Sequence, residues 1–107
     1  MILTRKQIDQ LWESAEADSG QRDPREYRKD FAGAWVRRDM YGYQSPFGWV
    51  VSRIKPKAAG GTDDIDNLMV CHWRNKRMKG ASYPEFRSIV TSEGKRNIRQ
   101  LRTWRVG

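Results

Sequence analysis

The chain has 107 residues and a formal net charge of +8, so a single domain with one modest core is expected. No apolar run approaches the roughly 18 residues a membrane-spanning helix needs, and Met1 to Arg5 lead straight into a mixed-charge segment with no leader-peptide pattern. One cysteine, Cys71, and one histidine, His72, exclude an internal disulfide, a CxxC zinc clip and any chemistry that needs two imidazoles; a reducing, cytoplasmic setting fits this cysteine usage.

Thr4 is placed to cap a helix running to about Ala17, with Ile8, Leu11, Trp12 and Ala15 forming one apolar stripe. Ser19 to Pro24 break the pattern, and Pro24 suits the start of a short turn. Ala34–Arg37 and Trp49–Ile54 are rich in β-branched and aromatic residues and read as strands joined by the loop Tyr41–Gly48. A second loop covers residues 55–66: Pro56 stops the strand, Gly60-Gly61 permit a tight reversal, and Asp63-Asp64 solvate it. Asn67–Cys71 reads as a short strand, and His72–Met78 as a helix closed by Gly80. In the tail, Phe86–Ser92 alternates before a turn at Glu93-Gly94. Ile98, Leu101 and Trp104 are spaced by three and would also suit a helix, but residues 97–106 are assigned to a strand. The expected architecture is α+β in one domain, residues 1–107: an N-terminal helix, a β-hairpin, a strand–loop–strand–helix unit, and a C-terminal β-hairpin.

Residues 48–80 read GWVVSRIKPKAAGGTDDIDNLMVCHWRNKRMKG. The ordered set formed by Gly48-Trp49, Ile54, Pro56, Gly60-Gly61, Asp63-Asp64, Asn67-Leu68, Trp73, Asn75 and Lys79-Gly80 resembles the core of HNH endonucleases, the ββα-metal fold. Tyr27–Asp30 and Gly33–Trp35 extend the resemblance to a small bacterial and phage group in which a hairpin precedes the core. It covers roughly residues 27–92 and implies that the central unit is an HNH-like ββα unit.

In active members of that family, an Asp-His pair ends the first strand. The His is the general base that deprotonates the attacking water, and the Asp helps to hold one divalent ion. A further His or Asn on the helix, three residues before the Lys of the Lys-Gly pair, completes the metal shell. Here Ser52 takes the Asp position, Arg53 the His position and Lys76 the helix-ligand position. A hydroxyl is a poor anchor for a hard cation, a guanidinium cannot serve as base, and an ammonium has no lone pair to donate. Asn67 matches an Asn that holds the loop, and Trp49 and Trp73 match frame positions, with Trp73 expected to pack under the first strand. The resemblance therefore implies a catalytically inactive member with no catalytic residue, metal or other cofactor. The alternative is an active metal-dependent HNH endonuclease with a relocated base. His72 is the residue for that role, since it lies four positions before Lys76. It would otherwise pack or bond locally. Asp63, Asp64 and Asp66 are placed where acidic residues solvate a turn.

Charge is distributed unevenly. Residues 1–51 carry eight Lys/Arg and eight Asp/Glu, whereas residues 52–107 carry thirteen and five, and so all of the +8. A positive field confined to one half points to a polyanionic partner, either nucleic acid or an acidic protein surface; a solubilising surface would give the same count. Candidate binding residues are Arg53, Lys55, Lys57, Arg74, Lys76, Arg77, Lys79, Arg99 and Arg102. Arg53 and Lys76 are expected to replace the metal electrostatically and grip a phosphate or carboxylate, or else to be solvated side chains in a dead site. Arg96, Arg99, Arg102 and Arg105 recur every third residue, which on a strand would alternate faces. By analogy with small phage and mobile-element proteins, the resemblance is compatible with inhibition of a host defence system such as a CRISPR or restriction effector. Nucleic acid, or a protein complex that handles it, is the expected partner, and no membrane is.

Overall fold

Thr4 opens the first helix, α1 (Arg5–Ser14), in the computed structural model, which describes residues 1–107. Its hydroxyl accepts from the Gln7 amide at 3.1 Å while the Gln7 side chain accepts from the Thr4 amide at 2.9 Å, a reciprocal cap that satisfies two otherwise orphaned donors. The helix stops three residues before the expected Ala17. Ala15 turns extended (φ −70°, ψ 152°), and Glu16 bridges Lys29, its carbonyl accepting from the Lys29 amide at 2.9 Å.

The remaining elements are β1 (Tyr27–Lys29), β2 (Trp35–Arg37), β3 (Trp49–Arg53), β4 (Leu68–His72), α2 (Trp73–Lys79), β5 (Glu85–Glu93) and β6 (Arg96–Arg105). The strands form three antiparallel pairs, β1–β2, β3–β4 and β5–β6, so the content is mixed α+β. β3 ends one residue before the expected Ile54, and β4 lies one residue later than expected. His72 is both the last residue of β4 and the N-cap of α2, where its Nδ1 accepts from the Arg74 amide at 3.1 Å. The tail is a strand pair, with Gly94 supplying the positive φ (59°) at its turn. No helix is long and apolar enough to cross a membrane.

A bulge changes how the tail arginines face. Ser88 pairs with Arg102 and Val90 with Arg99, so two β6 residues, Gln100 and Leu101, oppose the single Ile89. Ser88 and Val90 share a face of β5, so their partners Arg102 and Arg99 share a face of β6. The expected alternation of the arginine series is thus broken at one step, Arg99 to Arg102, where the extra residue cancels the half-turn that odd spacing imposes; Arg96 and Arg105, reached by unbroken register, alternate with their neighbours in the series.

The apolar core is built where α1 lies over β3–β4. Leu11, Trp12, Val36, Trp49, Val51, Leu68 and Val70 form one buried cluster. The Trp12 and Trp49 rings are 5.3 Å apart, and the Trp49 indole N–H donates to the Arg37 carbonyl at 2.8 Å. A second packing centre joins Phe31 to Phe86 and Trp104 in edge-on contacts at 5.4 and 5.7 Å.

The hairpins are joined through buried polar groups. Asp30, only 3 % exposed, accepts on Oδ1 from the amides of Ala32 and Ala34, and on Oδ2 from the His72 amide and the Asn75 side chain, all at 2.9–3.0 Å. Burial pushes its carboxyl upward against those four hydrogen bonds, each of which pulls it down. Asn75 is fully buried. Its Oδ1 accepts from the Ile89 and Val90 amides, each at 2.8 Å, and its Nδ2 also donates to the Val90 carbonyl at 2.9 Å. One amide thereby enters the β5 backbone at the bulge and ties α2, β5 and the 30–34 turn together. Asn97 adds a clasp from β6, accepting from the Trp35 amide at 2.7 Å and donating to its carbonyl at 2.9 Å.

Candidate functional site

The loop between β3 and β4 is held by Asn67. Its Oδ1 accepts from the Lys55 amide, and its Nδ2 donates to the Lys55 and Thr62 carbonyls, at 2.7–2.9 Å. The glycine pair makes that closure possible. Gly60 has φ +91°, and a β-carbon on Gly61 would overlap the Lys55 carbonyl. Gly48 is required for a similar reason, because a β-carbon there would run into the Tyr43 carbonyl. The positions of Gly60-Gly61 and Asn67 thus answer steric and hydrogen-bonding demands of the β3–β4 loop, and Gly48 those of the loop that precedes β3.

The three chemical positions lie at the mouth of that loop. Ser52 is 4 % exposed, and its hydroxyl makes only a long 3.4 Å contact to the Arg53 carbonyl. Arg53 is partly exposed, and its Nε donates to Asp63 Oδ1 at 2.5 Å. That bond holds the Asp63 carboxyl below its ordinary range and the guanidinium above its own. Lys57 reaches the other oxygen of Asp63 at 3.8 Å. Lys76 extends from α2 to donate to the Val51 carbonyl at 3.0 Å. The acidic loop therefore supplies Arg53 with an internal counter-ion, and Lys76 has a backbone partner of its own. No three His, Cys, Asp or Glu side chains converge as a metal-holding group.

His72 is engaged at both ring nitrogens: Nδ1 accepts from Arg74, as above, and Nε2 donates to the Pro46 carbonyl at 2.9 Å. This fixes the neutral Nε2–H tautomer. Burial, with the nearby Arg74 charge, lowers its pKa. A ring with its single lone pair occupied has none left for a water molecule.

One expected binding residue is misplaced by the sequence reading. Lys79 is 1 % exposed, and its Nζ has no hydrogen-bond partner. It lies 5.0 Å from the Phe86 ring centroid, and burial lowers its pKa. It cannot meet an external anion, because its position on α2 falls on the same inward face as Asn75. Lys55 lies beside Tyr83, its Nζ 5.8 Å from the ring centroid. Arg102 is exposed and donates to Gln100 Oε1 at 2.9 Å.

The other expected residues gather elsewhere. Trp73 is not placed under the first strand by its contacts. It stands half-buried at the start of α2 with its indole N–H donating to the Ser45 carbonyl at 2.7 Å. The Arg74 and Arg77 guanidiniums lie 4.4 and 5.1 Å from its ring centroid. Across from them, on β6, is Arg99. These residues line an open groove of about 750 Å³ with an apolar part made by Met78, Ile89 and Ile98. No carboxylate lines it. By contrast, a second hollow of about 590 Å³ over Trp12 and Trp49 is lined by Arg5, Arg25, Arg37 and Arg38 together with Asp9, Glu26 and Asp39. Sequence reasoning named Arg74, Arg77 and Arg99 but missed that they share a groove. Asp30 and Asn75 stand 45 residues apart, and nothing local in the sequence shows their joining role. An Asp just before a Gly-Ala turn, which suits acceptance of the turn amides, was the available signal for Asp30.

Comparison of the chain with protein-family models, with curated proteins and with solved structures found no match.

Proposed function

We propose that the chain is a catalytically inactive HNH-like protein that acts by binding a polyanion, with β3, β4 and α2 as its ββα unit. The observation that carries this reading is at position 53. Where the resemblance calls for a neutral imidazole, a guanidinium is ion-paired with Asp63 of the following loop. A permanently charged donor neither accepts a proton from water nor binds a dication. The Asn67 clamp and the glycine pair support the frame, while Ser52 and Lys76 supply no ligand set. The positive surplus of residues 52–107 supports the binding role, and the free cations on α2 and β6 give it a surface. Nucleic acid is the preferred partner, and inhibition of a defence nuclease is one role such binding would serve.

The test uses purified full-length protein with supercoiled plasmid and labelled oligonucleotides. In Mg²⁺ or Mn²⁺ we expect no nicking above that of a chelator-treated control. Binding should be steeply salt-dependent, weakening by more than tenfold between about 50 and about 200 mM salt. Chelator-sensitive cleavage by contaminant-free protein would overturn the inactivity. Absence of any polyanion binding at low salt would overturn the binding role.

A further inference from the structure

Resting on that reading, we propose that the groove between α2 and β6, not the degenerate cleft beside Arg53, is the binding site, and that its occupant is an unpaired stretch of nucleic acid. The first observation is charge complementarity. Arg74, Arg77 and Arg99 make no ion pair, and no carboxylate lines the groove. Elsewhere on the surface, Arg25, Arg37, Arg38, Arg53 and Arg105 each hold an Asp or Glu at 2.5–3.1 Å. Three guanidiniums gathered without counter-ions repel one another unless an anion lies among them. Their chemistry is that of phosphate recognition, by forked donors that stay charged.

The second observation is the apolar part of the groove, which decides between paired and unpaired strands. A duplex presents its phosphates outward and keeps its base faces stacked away from protein. A strand without a partner must cover those faces. Ile89 and Ile98 are half-buried and offer apolar surface between the cations. Arg74 lies 4.4 Å from the Trp73 ring centroid, the distance of a guanidinium lying on an indole. Its other face is then available to stack on a base. The indole is itself fixed by its bond to the Ser45 carbonyl, so the platform is ordered before the strand arrives. Phosphates would lie against Arg77 and Arg99, on opposite walls.

The geometry also separates this groove from the cleft. Successive residues turn about 100° around a helix, so Arg74 and Arg77 lie on the flank of α2 away from Lys76, whose ammonium is turned to β3. The pinning of β5 to α2 by Asn75 sets the spacing of the walls.

The experiment measures anisotropy of labelled oligo(dT), oligo(U) and a duplex of equal length, at several salt concentrations. The proteins are the wild type, Arg77→Ala/Arg99→Ala and Arg53→Ala/Lys76→Ala, each checked for folding by circular dichroism. The expected result is a preference for the single strands. The groove variant should lose about tenfold or more in affinity and about 1.4 units of salt slope, roughly 0.7 per phosphate contact. The cleft variant should lose much less. If the wild type binds polyanions but prefers duplex, or if the groove variant binds as well as wild type, the groove assignment falls while the polyanion reading stands. If the wild type binds none of the three, both fall. A preference between oligo(dT) and oligo(U) reports the 2′-hydroxyl and the thymine methyl together, and either preference supports the assignment.

Discussion

Replacing Asn75 by alanine tests the joint on which the groove depends. The substitution removes one side chain and strands four backbone or side-chain groups at once. The amides of Ile89 and Val90 lose an acceptor at 2.8 Å, the Val90 carbonyl loses a donor, and Asp30 Oδ2 keeps only the His72 amide. Asn75 is fully buried and Val90 is 8 % exposed, so water does not readily replace the lost partner. An unsatisfied buried donor costs about 1–3 kcal/mol; the buried Val90 amide incurs that cost, and the half-buried Ile89 amide, which water can reach, adds less. A domain of this size has about 5–15 kcal/mol to lose. The loss should therefore show as detachment of β5–β6 or as global unfolding well below the wild-type midpoint. Urea titration followed by tryptophan fluorescence gives the magnitude, and native-state hydrogen exchange at Ile89 and Val90 gives the location. The groove should fail with it, since Arg99 is held opposite Arg74 and Arg77 only while β5 is pinned to α2. A stability loss below about 1 kcal/mol, with both amides still protected, would refute the argument.

Three further outcomes follow from individual groups. Lys79→Met should stabilise the protein, by about 1–3 kcal/mol at neutral pH, because a buried ammonium without a partner is exchanged for a flexible apolar chain. The folded-state pKa of Lys79 lies below 10.5, so the unfolded chain binds more protons, and the advantage of the variant should shrink as pH rises toward 10.5; an advantage independent of pH would place the effect in packing alone. His72 has a folded-state pKa below 6.5, so the stability that neutral His72 contributes is present above that pH and lost as pH falls below it. The difference in urea midpoint between wild type and His72→Gln should narrow as pH falls below 6.5, and a constant difference would show that His72 does not titrate differently on folding. Asp63→Ala releases Arg53 and Lys57 from their shared counter-ion; since neither lines the groove, the salt slope of polyanion binding should stay close to that of the wild type, and a slope steeper by about 0.7–0.9 per cation would place the strand at the loop mouth instead.

The strand–loop–strand–helix order was legible because its punctuation is local. Pro56, Gly60-Gly61, Asn67 and Gly80 each answer a steric or hydrogen-bonding demand within the loop or helix end they belong to, the longest reach being that of Asn67 across the loop to Lys55. Thr4 announced the helix start in the same way. What could not be read was whatever depends on distant partners. Glu16 leaves the helix early because it bridges Lys29. Lys79 sits in a run of basic residues and looks like its neighbours, and only the docking of β5 against α2 makes its position inward. The bulge is set by pairing with β5 at Ile89, where Asn75 also binds, so no periodicity count over residues 96–105 could place Arg99 and Arg102 on one face. The groove is the sum of these long-range events. Its arginines were visible as charges, but their shared location follows from a polar hub that the sequence presents as two unconnected residues, Asp30 and Asn75.

The ion pairs show why the charge surplus is a surface and not a background. The paired cations of residues 1–51 take their carboxylates from the same half: Arg25 with Asp23, Lys29 with Asp18, Arg37 with Asp39 and Arg38 with Asp9. The second half spends Asp63 on Arg53 and Lys57, and Glu85 on Arg105. The other three carboxylates of that half, Asp64, Asp66 and Glu93, make no ion pair, and none of the five lines the groove of Arg74, Arg77 and Arg99. A dication in a nuclease cleft concentrates charge at one scissile phosphate and lowers the pKa of its water. Under the proposal, guanidiniums spread along a groove would hold several phosphates, at distances set by α2 and β6, and would leave water unactivated. On the proposed reading, replacement of the imidazole at position 53 and of the helix ligand at position 76 by basic residues removes cleavage while adding to the field that draws the strand in. Binding without cutting then follows from one choice of residue type.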